Sequence, residues 1–145
     1  MLLVVFHLGQ ERYALDATEV AEVLPLVDVK PIARAPAGVT GVIEVRGEIV
    51  PVVDLGQLLR NSPVERRMST RLIVVRQSTP AGERRLALMA ERVSGTVIRH
   101  DRDFSASGIA ATVLGPLTYE GGELVQRIVL DALLPPAVRD AIDHR

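Results

Sequence analysis

The sequence predicts a mainly β protein built from two related halves, and three observations carry that expectation. Apolar residues come in short runs punctuated by Gly, Pro and charge: Leu2 to Leu8, Val42 to Val45, Ile49 to Val53, Leu72 to Val75, Leu86 to Met89, Val97 to Ile98 and Arg127 to Leu130. None reaches the roughly 10–12 residues of a buried helix, and many of their members are β-branched, which favours strands. The chain also echoes itself. Ala14-Leu15-Asp16-Ala17 with Val20 lines up with Ala87-Leu88-Met89-Ala90 with Val93, and Val53-Asp54 before Leu58-Leu59 resembles Leu130-Asp131 before Leu133-Leu134. Two copies in the same order point to pseudo-duplication, and short all-β units of this size close into small barrels.

Helical signals are brief. Asp16-Ala17-Thr18-Glu19 has the form of a capping box ahead of Val20 and Val23, Asp54 precedes Leu55 to Leu59 as an N-cap, and Pro135 or Pro136 opens a last turn through Ala141. Each supports one or two turns, the last a short C-terminal helix. Asn61 to Ser69 is polar and reads as the connection between halves; Gln77 to Arg85, with Pro80 and Gly82, reads as a hairpin loop. Arg99 to Thr112 is the least regular stretch, and His100-Asp101-Arg102-Asp103 reads as a solvated charge cluster.

At 145 residues the chain can bury roughly two-thirds of its unfolded surface, enough for a core without staples. Its 48% apolar content excludes intrinsic disorder. With 17 Lys+Arg against 18 Asp+Glu, the net charge of −1 argues against affinity based on phosphate neutralisation. No cysteine means no disulfide, thiol nucleophile or Cys-ligated metal. The opening apolar stretch, Met1 to Phe6, is far below the roughly 18 residues of a membrane span, and no basic segment precedes it. A cytoplasmic protein with neither leader nor membrane insertion is expected.

Catalytic chemistry finds no foothold. His7, His100 and His144 are too far apart in sequence for a short metal-ligand spacing, no serine lies in a Gly-x-Ser-x-Gly setting, and no phosphate-cradling glycine motif occurs. Phe6, Tyr13, Phe104 and Tyr119 are too dispersed to form a stacking platform for nucleic acid. Asp54 and Asp131 read as helix caps. A small-ligand or enzymatic double barrel is the alternative, and it lacks a cluster of titratable groups that would predict a pocket.

One segment departs from this plain pattern. In Gly41-Val-Ile-Glu-Val-Arg46-Gly47-Glu-Ile-Val-Pro-Val-Val-Asp-Leu55, two alternating apolar runs flank a tight turn with Gly at the bend. Arg46 is then either a solvated turn arginine or a rigid cation offering five donors to a partner's carboxylate or carbonyls.

That segment, Gly-Val-Ile-x-x-Arg-Gly-x-Ile-x-Pro-Val-x-Asp-Leu, resembles the signature of CheW-like domains, scaffold proteins of bacterial chemosensory arrays. Phe6-His7-Leu8-Gly9 with Tyr13 to Asp16, Val20 to Leu24, Thr70 to Val75, Leu86 to Val93 and Leu124 to Leu134 agree in order over the whole chain. Ala87 stands where the family usually has Gly, Glu91 where it has Asp, and Glu44 where Asn is common. Met1-Leu2-Leu3 with Tyr13 to Asp16, Ser69-Thr70-Arg71, Leu114-Gly115-Pro116 and Leu133-Leu134-Pro135 resemble the WspB branch, whose receptor–kinase system drives a diguanylate cyclase in surface sensing.

The resemblance implies two small five-stranded, SH3-like β-barrels within one domain over residues 1–145, one subdomain of about 12–68 and another of about 1–11 plus 69–145. It implies no catalysis and no cofactor, but an adaptor joining the cytoplasmic tip of a chemoreceptor to the regulatory domain of a CheA-like histidine kinase, at membrane-associated arrays through protein contacts. Carried over by position, Val20, Glu22, Gly41, Arg46 and Gly47 line or support the receptor surface, and Val93 is the equivalent place in the second half. On this reading Gly41→Asp impairs binding more than stability.

Overall fold

The computed structural model describes residues 1–109 and 113–143; the end of the irregular Arg99 to Thr112 stretch and His144 lie outside the described residues. Ten strands form two five-stranded sheets: β1 Leu2–Leu8, β2 Glu11–Asp16, β3 Val20–Pro25, β4 Val39–Val45, β5 Glu48–Asp54, β6 Arg71–Thr79, β7 Gly82–Ala90, β8 Arg92–Ile98, β9 Leu114–Glu120 and β10 Glu123–Ile128. Helix α1 spans Leu55–Arg60 and α2 spans Pro136–Asp143. The first sheet has the order β8-β1-β2-β10-β9, the second β3-β6-β7-β5-β4. All ladders are antiparallel except β2 with β10 and β5 with β7.

The two orders are the same order. Replacing β1 by β6, β2 by β7, β8 by β3, β10 by β5 and β9 by β4 turns one sheet into the other, so the sequence echo is a structural duplication. The third strand of each repeat is exchanged: β3 leaves the first hairpin to pair with β6, and β8 leaves the second to pair with β1. This moves the division between units. One sheet takes residues from 2–16 and 92–128, the other from 20–90, rather than 12–68 against 1–11 plus 69–145. The hairpins β1–β2 and β6–β7 stay whole because tight antiparallel connections keep neighbours in one sheet. The crossovers therefore fall after them. Hydrogen bonding leaves each sheet with two edge strands, so the described ladders are open.

Burial explains why the runs are apolar throughout. Leu72 to Val75 and Leu86 to Ala90 are all buried, because both faces of the central hairpin are covered. On β1 the faces divide the work. Phe6 and Leu8 join the main core, which also holds Val52, Leu88, Ile128 and Leu130 and so runs across both sheets, while Leu3 and Val5 meet Ala14 and Val125 in a smaller cluster inside the first sheet. Phe6 stacks on Tyr13 with ring centroids 5.8 Å apart.

Local chemistry sets the connections. Asp54 caps α1 by accepting from the Gln57 N–H at 3.0 Å and also holds the Val64 N–H at 3.1 Å, tying the 61–70 connection to the helix. Asp16 accepts from the Thr18 N–H at 3.0 Å, but only one 3₁₀ turn, Ala17–Glu19, follows before Val20 resumes a strand. The β-branched Val20 and Val23 and the pairing offered by β6 end the helix that the capping pattern predicts. Asp131 caps nothing with its side chain: it lies inside a 3₁₀ turn, Leu130–Ala132, whose preceding residue is Val129. His100-Asp101-Arg102-Asp103 is ordered into a 3₁₀ turn by Asp103, whose carboxylate accepts from the His100 N–H at 2.8 Å.

Candidate functional site

The β4–β5 turn holds Arg46 at φ +52° and Gly47 at φ +80°, the pair of positive φ values that a two-residue hairpin turn of matching twist demands. Positive φ is costly for arginine and free for glycine. Arg46 is thereby aimed outward, with 75% of its side chain exposed, and its Nε donates to the Glu22 carboxylate at 3.2 Å. Glu22 belongs to β3 and Arg46 to the β4–β5 turn, so this bond joins the two edges of one sheet. The sheet is therefore curled at this end. An exposed pair of this kind contributes under about 1 kcal/mol to stability, so its value is orientation: Nε is anchored and the terminal guanidinium nitrogens stay available.

Val20 begins β3, pairs with Val75 and packs half-buried on the main core. The register slips between Val20 and Glu22, leaving Ala21 as the extra residue of a bulge, a device that re-aims neighbouring side chains. Val93 occupies the equivalent start of β8, pairs with Phe6 and packs on the same core. Both valines thus sit where the chain crosses between sheets, at the seam.

Glu22, Arg46 and Gly47 are brought together, with Val20 two residues away on the same strand. Gly41 is not. It lies on β4 roughly 15 Å along the strand from the turn, and its role is packing: at φ +152° a Cβ there would stand 2.0 Å from the Lys30 carbonyl oxygen. That close approach permits the Lys30–Val42 bridge, with both N–H to O distances at 2.9 Å. Gly41→Asp is thus expected to act first on stability, the reverse of the expectation from sequence.

Exposed apolar side chains that the sequence does not single out lie on this sheet and in the segment that follows β3. Val23 on β3, Val27 and Ile32 in the segment after it, and Ile49 just past the turn are 40%, 42%, 45% and 63% exposed. Ile49 was concealed by alternation: it sits in an apolar run, yet Val50 and Val52 take the buried face.

Charge at the seam is finely set. Burial pushes the Asp16 carboxyl up, but the Thr18 N–H and hydroxyl and the Arg127 guanidinium outweigh it, so Asp16 lies below the usual carboxylate range. Glu19 is held above its range by burial and by the nearby Asp16 and Asp131 carboxylates. A cleft of about 710 Å³, open to solvent, lies between the β6–β7 hairpin tip and α2; Glu48, Arg85 and Asp143 are among its walls. Among the described residues no group of three or more His, Asp or Glu is placed to hold a metal ion, and no helix is long and apolar enough to cross a membrane.

The model of the CheW-like domain matches residues 2–137. The chain belongs to the CheW-like domain family. A chemotaxis protein CheW from Rhizobium meliloti (strain 1021) is 27% identical over 145 residues, covering 96% of this chain and 90% of that protein. One from Klebsiella aerogenes is 32% identical over 146 residues, 97% of this chain and 85% of that protein. A CheW from Treponema pallidum reaches 45% identity over 53 residues, which span 37% of this chain and 31% of that relative. The fold agrees with the crystal structure of the scaffolding protein TtCheW from Thermoanaerobacter tengcongensis, at a TM-score of 0.81 and 24% identity over 91% of this chain and 90% of that one. As a CheW-like domain this is a non-catalytic scaffold of chemotaxis signalling.

Proposed function

We propose that this chain couples the cytoplasmic tip of a chemoreceptor to the regulatory domain of a CheA-like histidine kinase, and that the edge formed by Val20, Glu22, Arg46 and Gly47 is its receptor-facing surface. One observation carries the reading: an exposed guanidinium, anchored by Glu22 across a curled sheet, with the exposed apolar Val23 next to Glu22 on β3 and Ile49 just past the turn on β5. A helical receptor tip is bound well by such a surface, where a few apolar anchors are buried and one rigid cation fixes orientation. Gly41 supports the surface from within β4, and Val93 offers the equivalent place to either partner in the second half. The protein works in the cytoplasm, held at membrane-associated arrays through protein contacts.

Arg46→Ala is the test. The variant is expected to keep its thermal midpoint within about 2 °C, since the pair is exposed, and to lose about tenfold in co-sedimentation with receptor-containing membranes and kinase. Unchanged co-sedimentation sinks the assignment of this surface.

For the output, the reading is a Wsp-type surface-sensing pathway that controls a diguanylate cyclase, carried by the Leu114-Gly115-Pro116 and Leu133-Leu134-Pro135 segments among others. Affinity capture from the native cytoplasm tests it. Co-purification of a response regulator bearing a diguanylate cyclase domain supports the pathway, and a regulator acting on motility overturns it.

A further inference from the structure

At one end of the first sheet, three basic side chains stand in a row across adjacent strands. His7 of β1 is directly opposite Arg12 of β2 on one side and Arg92 of β8 on the other. Like charges opposite one another on a sheet repel, so such a row is unfavourable unless something offsets it. Half of it is offset. Arg12 is held by Glu120 of β9 at 2.7 Å and by Glu123 of β10 at 2.9 Å. Arg92 has no carboxylate within ion-pair distance among the described residues; its guanidinium lies 3.4 Å from His7 Nε2.

The row also lies in a concave place. Alternation along β1 puts His7 on the face of Leu3 and Val5, the side chains of the smaller core cluster, so the row forms the polar mouth of the curled first sheet. A hollow of about 190 Å³ opens there, lined by Val5 and the row itself, by Ser94 and Thr96 of β8, and by Glu120 of β9, whose carboxylate is held by Arg12. Ser94 is the extra residue of a bulge, since Val5 pairs with Gly95 and Phe6 with Val93. Bulges commonly re-aim side chains beside binding sites.

We propose that this mouth is a binding site for a single oxyanion group, held by Arg92 and His7 with Ser94 and Thr96 beside it, and that its occupancy is linked to protonation of His7. An oxyanion supplies the partner that Arg92 lacks among the described residues, whereas Arg12 already has Glu120 and Glu123; guanidinium and hydroxyl groups are natural donors to such a group. Empty, the site disfavours a charged imidazole: burial, then Arg92 and Arg12, hold His7 below the ordinary histidine range against the weaker opposing pull of Glu123 and Glu91. Bound anion reverses that balance and lets Nε2 donate. By linkage, anion and proton then favour each other's binding. The site is separate from the Arg46 edge and stands whether or not that surface meets a receptor.

Histidine ring NMR of the full chain decides it, with sulfate as the tetrahedral probe, acetate as the carboxylate probe and sodium chloride at equal ionic strength as the control. An oxyanion is expected to raise the His7 midpoint by about half a pH unit or more beyond chloride, and Arg92→Gln, a change at an exposed side chain, is expected to abolish the rise. Response to sulfate alone assigns a phosphate-like ligand; response to acetate alone assigns a carboxylate. If neither anion moves His7 beyond chloride, or if Arg92→Gln leaves the rise intact, the site does not exist.

Discussion

Single residues here are constrained by backbone geometry more than by chemistry. Gly41 and Gly47 both have positive φ, yet a Cβ at Gly47 meets open space, whereas one at Gly41 runs into the Lys30 backbone. Gly41→Ala is therefore expected to cost about 2–3 kcal/mol or more, read as a lower midpoint in chemical denaturation, while Gly47→Asn, a residue that tolerates positive φ, costs well under about 1 kcal/mol. His7 gives a pH signature. Its folded-state value lies below the unfolded one of about 6.5, so the unfolded chain binds more protons in that window, and stability falls as the pH drops from about 6.5 towards the folded value. His7→Gln is expected to flatten this decline in urea denaturation followed at a series of pH values. A decline that stays equally steep assigns it to groups other than His7.

Elements in this fold are held by a few buried polar links as well as by the core. Gln77 of β6 is 3% exposed; its Nε2 donates to the Leu130 carbonyl at 2.9 Å and its Oε1 accepts from Arg84 Nε at 2.8 Å. Arg84 in turn pairs with Asp143 of α2. This chain fastens the end of the second repeat, and the helix after it, to the hairpin of the opposite sheet. Gln77→Leu strands the Leu130 carbonyl and takes the acceptor from Arg84 Nε, which leaves Arg84 with Asp143 alone, and is expected to cost about 2–3 kcal/mol. The loss should appear first as faster amide exchange over residues 130–143; uniform acceleration across both sheets would instead make Gln77 an ordinary core residue.

At the scale of the molecule, exchange of β3 and β8 and a main core shared by both sheets make the halves interdependent. Phe6 shows the consequence. It belongs to the first sheet but packs in the cluster that holds Val52 and Leu88 of the second. Phe6→Ala is expected to cost about 3–5 kcal/mol and to unfold both sheets in one transition. NMR signals of Ala14 and Ala87, one in each sheet, should vanish at the same denaturant concentration; separate midpoints would show that the sheets fold independently. Rigidity of this kind suits a scaffold, because a surface fixed in one half keeps its relation to a surface in the other.

Much of this was readable from residue order. Short β-branched runs, the Arg46-Gly47 bend and the Asp54 cap are local properties, set by sterics and hydrogen bonding within a few residues, and the duplication showed as repeated spacing. The destination of each strand was not local. Nothing within β3 says that it will pair with β6 instead of its own hairpin, nor within β1 that His7 will stand between Arg12 and Arg92. Nor does β4 record that Lys30 passes close enough to forbid a side chain at Gly41. Sequence determined the elements, the turns and the family, because these follow from short-range preference and pattern; the tertiary structure decided the exchanged strands, the curled edges and the charged mouth, because strand pairing is chosen by the burial of the whole chain at once.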